Sequence, residues 1–106
     1  MQQDNRTLKG IQEKIDDWIK DHGGYWSPLA MLSAIMEELG ELAREINDLE
    51  GFKPKKRIKK SPDLGEELAD LLFSIICLAN HYDIDLDSHL ESIIAKYTKR
   101  DANRFI

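Results

Sequence analysis

SPLAMLSAIMEELGELAREINDL, residues 27–49, decides the fold. Ser27 followed by Pro28 marks a helix start: a serine cap, then a proline in the first turn, where its missing N–H costs nothing. Behind it Leu29, Leu32, Ile35, Met36, Leu39, Leu42, Ala43, Ile46 and Leu49 recur at the spacing of an amphipathic helix. Gly51 and Pro54 stop it. Inside this pattern sits Glu37-Glu38-x-x-Glu41, and a later apolar segment carries Glu67-x-x-Asp70. Residues three apart share a helix face, so Glu38 pairs with Glu41 and Glu67 with Asp70. Such like charges repel by roughly 0.2–0.5 kcal/mol per exposed pair, and by more when partly buried. Four carboxylates beside an apolar stripe make sense around a hard cation such as Mg²⁺, which takes oxygen ligands and reaches substrate phosphates through them.

The rest of the chain repeats the helical period. A first helix is expected from Thr7 to Asp21, with Ile11, Ile15, Trp18 and Ile19 on one face and Gly23-Gly24 ending it. A third helix is expected to start at Ser61-Pro62, with Leu64, Leu68, Leu71, Leu72, Ile75, Ile76 and Ala79 as its stripe. A turn at Tyr82–Asp85 leads to a fourth near Asp87 to Arg100, carrying Leu90, Ile93, Ile94 and Tyr97. No segment alternates as a strand does. The reading is an all-α fold, a four-helix bundle formed by one domain spanning residues 1–106.

At 100° per residue, Glu38, Glu41 and Glu45 fall on one flank of the second helix's stripe, with Glu37 further round. Asp63, Glu67, Asp70 and Ser74 form one polar row on the third. Antiparallel packing would bring the two rows face to face across a groove. Solvated helix faces also carry glutamates. What sets these apart is that both pairs flank apolar stripes without lysines four residues on.

Composition narrows the function classes. A net charge of −5 argues against nucleic-acid binding, which needs a basic surface. The basic loop Lys53–Lys60, six cations in eight residues, is read as a solvated linker. Cys77 stands alone in an apolar run, so it cannot form an intramolecular disulfide and reads as a small buried hydrophobe. A reducing, cytoplasmic setting fits. The polar segment Met1–Asn5 shows no signal peptide, and Leu71–Ala79 is too short to cross a membrane. His22, His81 and His89 have Ile19, Leu78 and Leu86 three residues upstream, not the glutamates of a di-iron bundle. Four helices leave wide apolar stripes for a small bundle to bury, so a homo-oligomer is expected.

At these residues the chain resembles the MazG-like nucleoside triphosphate pyrophosphohydrolases, an all-α family. The pattern E-E-x-x-E, a spacer, then E-x-x-D stands here as Glu37-Glu38-Leu39-Gly40-Glu41 and Glu67-Leu68-Ala69-Asp70. The flanking stretches 27–31, 41–45 and 66–73, and the tail Lys96-Tyr97-x-x-Arg100-Asp101, are similar as well. The resemblance implies Mg²⁺, with Mn²⁺ as an alternative, held by Glu38, Glu41, Glu67 and Asp70. It implies cleavage of a nucleoside triphosphate to the monophosphate and pyrophosphate, by a homodimer or homotetramer. It also suggests Lys96 and Arg100 as phosphate contacts, although cations there equally complement a helix dipole. Glu41 or Glu37 is the candidate for orienting the attacking water. Trp18, Trp26 and Tyr97 are candidates to stack on a base. Trp18 is expected in the core, and Trp26 at a pocket mouth. The alternative from another class is a non-catalytic helical module that binds a partner protein.

Overall fold

A computed structural model describes residues 7–51 and 63–102. It contains four helices and, among the described residues, no strand: α1 (Leu8–Asp21), α2 (Pro28–Leu49), α3 (Leu64–His81) and α4 (Leu86–Asp101). Each start is set by a side chain that satisfies a free backbone N–H. Thr7 Oγ1 accepts from Gly10 N, Ser27 Oγ from Ala30 N, Asp63 Oδ1 from Glu66 N and Asp85 Oδ1 from Asp87 N. Each cap is worth about 0.5–2 kcal/mol. Ser27-Pro28 acts as expected. Ser61-Pro62 and the basic loop lie outside the described residues, and α3 begins instead at Leu64, capped by Asp63. The fourth helix starts one residue earlier than expected, because Asp85 supplies its cap.

The helix ends obey one rule. After α1, Gly24 N donates back to the Ile19 carbonyl oxygen, closing a turn that needs Gly23 at φ 106°. After α3, Ile84 N donates to Ala79 O and Asp83 N to Asn80 O, with Asp83 at φ 55° where glycine is usual.

Helices α2 and α3 make the most extensive packing, α1 lies on α3, and α4 leans on α1. The α2–α3 pair is antiparallel. Met31 and Ala34 share a pocket with Phe73 and Cys77, and one turn further Glu38 meets Asp70 and Glu67. The core is thin: Met31, Leu42, Ile76, Cys77 and Ala79 are its buried hydrophobic residues, with Ile76 at 1% exposure. Cys77 is thus the buried hydrophobe expected.

Only part of each apolar stripe became buried, chiefly Leu42 on α2 and Ile76 and Ala79 on α3. Leu29, Leu32, Met36, Leu39, Ile46 and Leu49 on α2 are exposed, Leu29 by 76%. On α3 the same holds for Leu68, Leu72 and Ile75. The two helices meet along the flank of each stripe, through Met31, Glu38, Leu42 and Glu45 on one side and Glu67, Ser74 and Cys77 on the other. This geometry brings carboxylates into the seam and leaves apolar residues of both helices uncovered.

A second seam joins α1 to the α3–α4 turn through one side chain. Gln12, 6% exposed, donates from Nε2 to Asn80 Oδ1 and to the Ile84 carbonyl oxygen, both at 2.9 Å. Its Oε1 accepts from Leu86 N at 3.0 Å. Asn80 Nδ2 in turn donates to the Gln12 carbonyl oxygen. The amide is fully used, which is the condition for burying it.

Candidate metal centre and aromatic pocket

Glu38 comes from the middle of α2, and Glu67 and Asp70 from the first two turns of α3. One carboxylate oxygen of each lies within 4.8 Å of the others. Oxygens around a Mg²⁺ ion stand about 3–4 Å apart, given metal–oxygen distances of about 2.1 Å in an octahedron. Small rotamer changes therefore suffice to gather them. Glu67 Oε2 is buried and has no hydrogen-bond partner. An orphaned carboxylate oxygen in a seam is costly unless a cation meets it. The donor set and the orphan both fit a divalent metal.

The electrostatics say the same. Desolvation first, and then the charges of Glu41, Asp70 and Glu37, push Glu38 above the usual carboxylate range. Desolvation, then Glu41, Glu38, Asp70 and Glu45, push Glu67 up. Among the described residues, no lysine or arginine takes part in these causes. Glu41 acts on both Glu38 and Glu67, although it is exposed and lies outside the closest set. Glu37 is exposed and touches the balance of Glu38 alone.

Above the carboxylates opens a pocket of about 420 Å³, and Glu38 belongs to its wall. Trp18, Trp26, Phe73, His22 and Tyr25 line it. Trp18 and His22 are stacked, with ring centroids 4.1 Å apart and 21° between planes, and Phe73 meets Trp18 edge-on at 6.1 Å. His22 Nδ1 donates to the Trp18 carbonyl oxygen. Trp26 stands at the pocket mouth, 68% exposed. Trp18, expected in the core, is 51% exposed and forms the pocket wall. The apolar face of α1 is wider than α3 can cover, so its edge becomes a surface. Periodicity could not place Trp18, yet the i,i+4 pair Trp18–His22 was a signal for stacking on one helix face. Phe73 had no such signal.

The structure does not gather the tail residues with this site. Lys96, Tyr97 and Arg100 lie on α4, which has no buried residue and leans on α1. Arg100 sits over the Tyr97 ring at 4.7 Å and pairs with Asp101 through Nε and Nη2. None of the three lines the aromatic pocket.

Known proteins are similar to this chain in sequence and in fold. The MazG nucleotide pyrophosphohydrolase domain profile matches residues 26–105. The uncharacterized protein YpjD of Bacillus subtilis (strain 168) is 43% identical over 102 residues, covering 95% of this chain and 92% of that protein. YvdC from the same strain is 31% identical over 81 residues, covering 71% and 76%. The crystal structure of Bacillus subtilis YPJD, provisionally assigned as a pyrophosphatase, superposes with a TM-score of 0.79, covering 90% of this chain and 98% of that one. The Bacillus-conserved MazG protein, a nucleotide pyrophosphohydrolase, superposes at 0.73 with 38% identity, covering 90% and 93%. The acidic seam, the four helices and these relatives agree, and the chain belongs to the MazG nucleotide pyrophosphohydrolase family.

Proposed function

We propose that this chain is a Mg²⁺-dependent hydrolase that converts nucleoside triphosphates to nucleoside monophosphates and pyrophosphate. The observation that carries the reading is the buried, unpartnered Glu67 Oε2 beside Glu38 and Asp70, at the foot of an aromatic pocket. Glu38, Glu67 and Asp70 would hold the metal, with Glu41 completing or supporting the set, and Mn²⁺ would be the natural substitute. A divalent ion held by these carboxylates would supply Lewis-acid activation of the phosphate and offset charge on the leaving pyrophosphate.

The chain's own residues do the rest. Glu38 belongs to both the acidic set and the pocket wall, so it sets the distance between base and phosphates. Trp18 and Trp26 offer planar faces to the base, a contact worth about 1–3 kcal/mol per base. Glu41 is the better placed of the two candidates to orient a water for in-line attack, because its charge reaches both Glu38 and Glu67. Glu37 then plays a lesser part. Lys96 and Arg100 serve the phosphate tail only if α4 of one subunit approaches the seam of another. A homodimer or homotetramer provides that and covers the exposed faces of α2 and α3.

Pyrophosphate release from a panel of nucleoside triphosphates, with and without Mg²⁺, tests the reading. Metal-dependent release with equimolar monophosphate is expected, and orthophosphate release alone would exclude α–β cleavage. Calorimetry separates the enzyme from a partner-binding module. Mg²⁺ and a non-hydrolysable triphosphate analogue should tighten each other's binding by one common factor. Light scattering should report a dimer or tetramer at micromolar concentration.

A further inference from the structure

The connection between α1 and α2 carries Trp26 to the pocket mouth. It begins with two glycines in left-handed conformations: Gly23 and Gly24 have φ of 106° and 88°, and a Cβ at either would meet nothing within 4 Å. Glycine is there for its conformation, not for room. The Gly24–Ile19 bond closes the helix end, and Tyr25 ties the residues beyond it back to α1. Its hydroxyl donates to Asp16 Oδ1 on α1 at 2.5 Å, and its ring meets His81 of α3 edge-on, with centroids 6.3 Å apart. Asp16 is itself paired with Lys20 at 2.8 Å. Burial, and then the Asp16 hydrogen bond, push the phenol far above its ordinary range, so it remains a donor at any working pH.

We propose that Tyr25 is a positioning residue for substrate binding: its bond to Asp16 fixes the connection and holds Trp26 over the aromatic pocket. The hydroxyl of Tyr25 is bonded to Asp16, which lies outside the acidic set. Its action is on the grip of the pocket, not on the chemistry at phosphorus. The consequence for binding rests on the reading that a nucleotide base enters this pocket.

Two measurements separate the proposal from that reading. The chain has two tryptophans. In a Trp18→Phe background Trp26 alone reports, with no nucleotide present. Tyr25→Phe should raise acrylamide quenching of Trp26 by about twofold and lower its anisotropy. Asp16→Ala should do the same, the double variant should add nothing, and Asp16→Asn, which keeps an acceptor oxygen, should restore wild-type values. In the otherwise wild-type chain, Tyr25→Phe should raise KM for the triphosphate by about 5-fold with kcat within about twofold, the pattern of lost binding common to ground and transition states. Unchanged Trp26 quenching in a folded Tyr25→Phe variant would overturn the proposal. So would loosened Trp26 with an unchanged KM. A wild-type chain with no turnover of any nucleotide would instead remove the pocket reading, and quenching would still decide whether Tyr25 holds Trp26.

Discussion

Two polar clusters lie in the helix seams of this molecule, and they are built in opposite ways. At the junction of α1 with the α3–α4 turn, every polar atom of the Gln12 amide has a partner, and Asn80 returns the favour to the Gln12 backbone. At the α2–α3 seam, Glu38, Glu67 and Asp70 crowd together, and one Glu67 oxygen is buried with nothing to accept from. The first cluster is complete within the chain. The second leaves a carboxylate oxygen unsatisfied by the chain, as a site built for a cation would. Satisfaction of hydrogen bonds therefore separates a polar group that holds the fold from one held by the fold for another purpose.

The comparison breaks first at activity. Glu38→Gln, Glu67→Gln or Asp70→Asn should each lower turnover by more than about 100-fold, with loss of metal affinity in calorimetry. Far-UV circular dichroism should be unchanged, and unfolding midpoints of the metal-free protein equal or higher, since each change relieves repulsion. Gln12→Ala should do the reverse. It strips partners from Asn80, the Ile84 carbonyl and the Leu86 N–H, at a cost of about 2–4 kcal/mol in urea unfolding. Metal affinity of the folded fraction should not move.

Acid sharpens the contrast. Glu38 and Glu67 are raised above their unfolded values, so their ionisation opposes folding. That penalty is absent below the unfolded range and develops as pH rises through the folded values. Asp16 is lowered, first by its hydrogen bond from Lys20 and then by that from Tyr25. Its contribution is present above the unfolded value and is lost as pH falls through the folded one. Moving from neutral toward about pH 5, still above the ordinary carboxylate range, should therefore stabilise the metal-free protein. Saturating Mg²⁺ should abolish or invert the trend in a thermal melt. The smallest expected effect is at Asp83, which occupies a left-handed position after α3. Asp83→Gly should raise stability by up to about 1 kcal/mol without touching activity.

Much of this was legible in the residues, for particular reasons. Thr7 and Ser27-Pro28 name helix starts because an orphan N–H needs an oxygen at one fixed place. Spacing put Glu38 and the Glu67–Asp70 pair on polar rows that an antiparallel return would bring face to face, and the family resemblance singled them out as ligands. The packing face was not legible. Periodicity finds the apolar stripe, but α3 packs on its flank, and Met31, which lies off the stripe, is buried while Met36 is exposed. Gln12 was invisible for a related reason: its burial depends on three groups some seventy residues away, at Asn80, Ile84 and Leu86. Trp18 looked like core because nothing in sequence says how wide a face its neighbours will cover.

Helix α4 has no buried residue, and Leu90, Ile93, Ile94 and Tyr97 are all partly exposed. A helix of this length is marginal in water by itself. Within the chain its order is secured chiefly at its first turn, by the Asp85 cap, the Leu86–Gln12 bond and the Lys9–Asp87 bond. Amide hydrogen exchange should therefore be graded along the molecule. Protection should be greatest in the middle of α3 and fall along α4 toward its C-terminus, where amides open by local fraying and not by global unfolding. If the subunits associate through α4, that fraying rate will depend on protein concentration, whereas the rate in α3 will not.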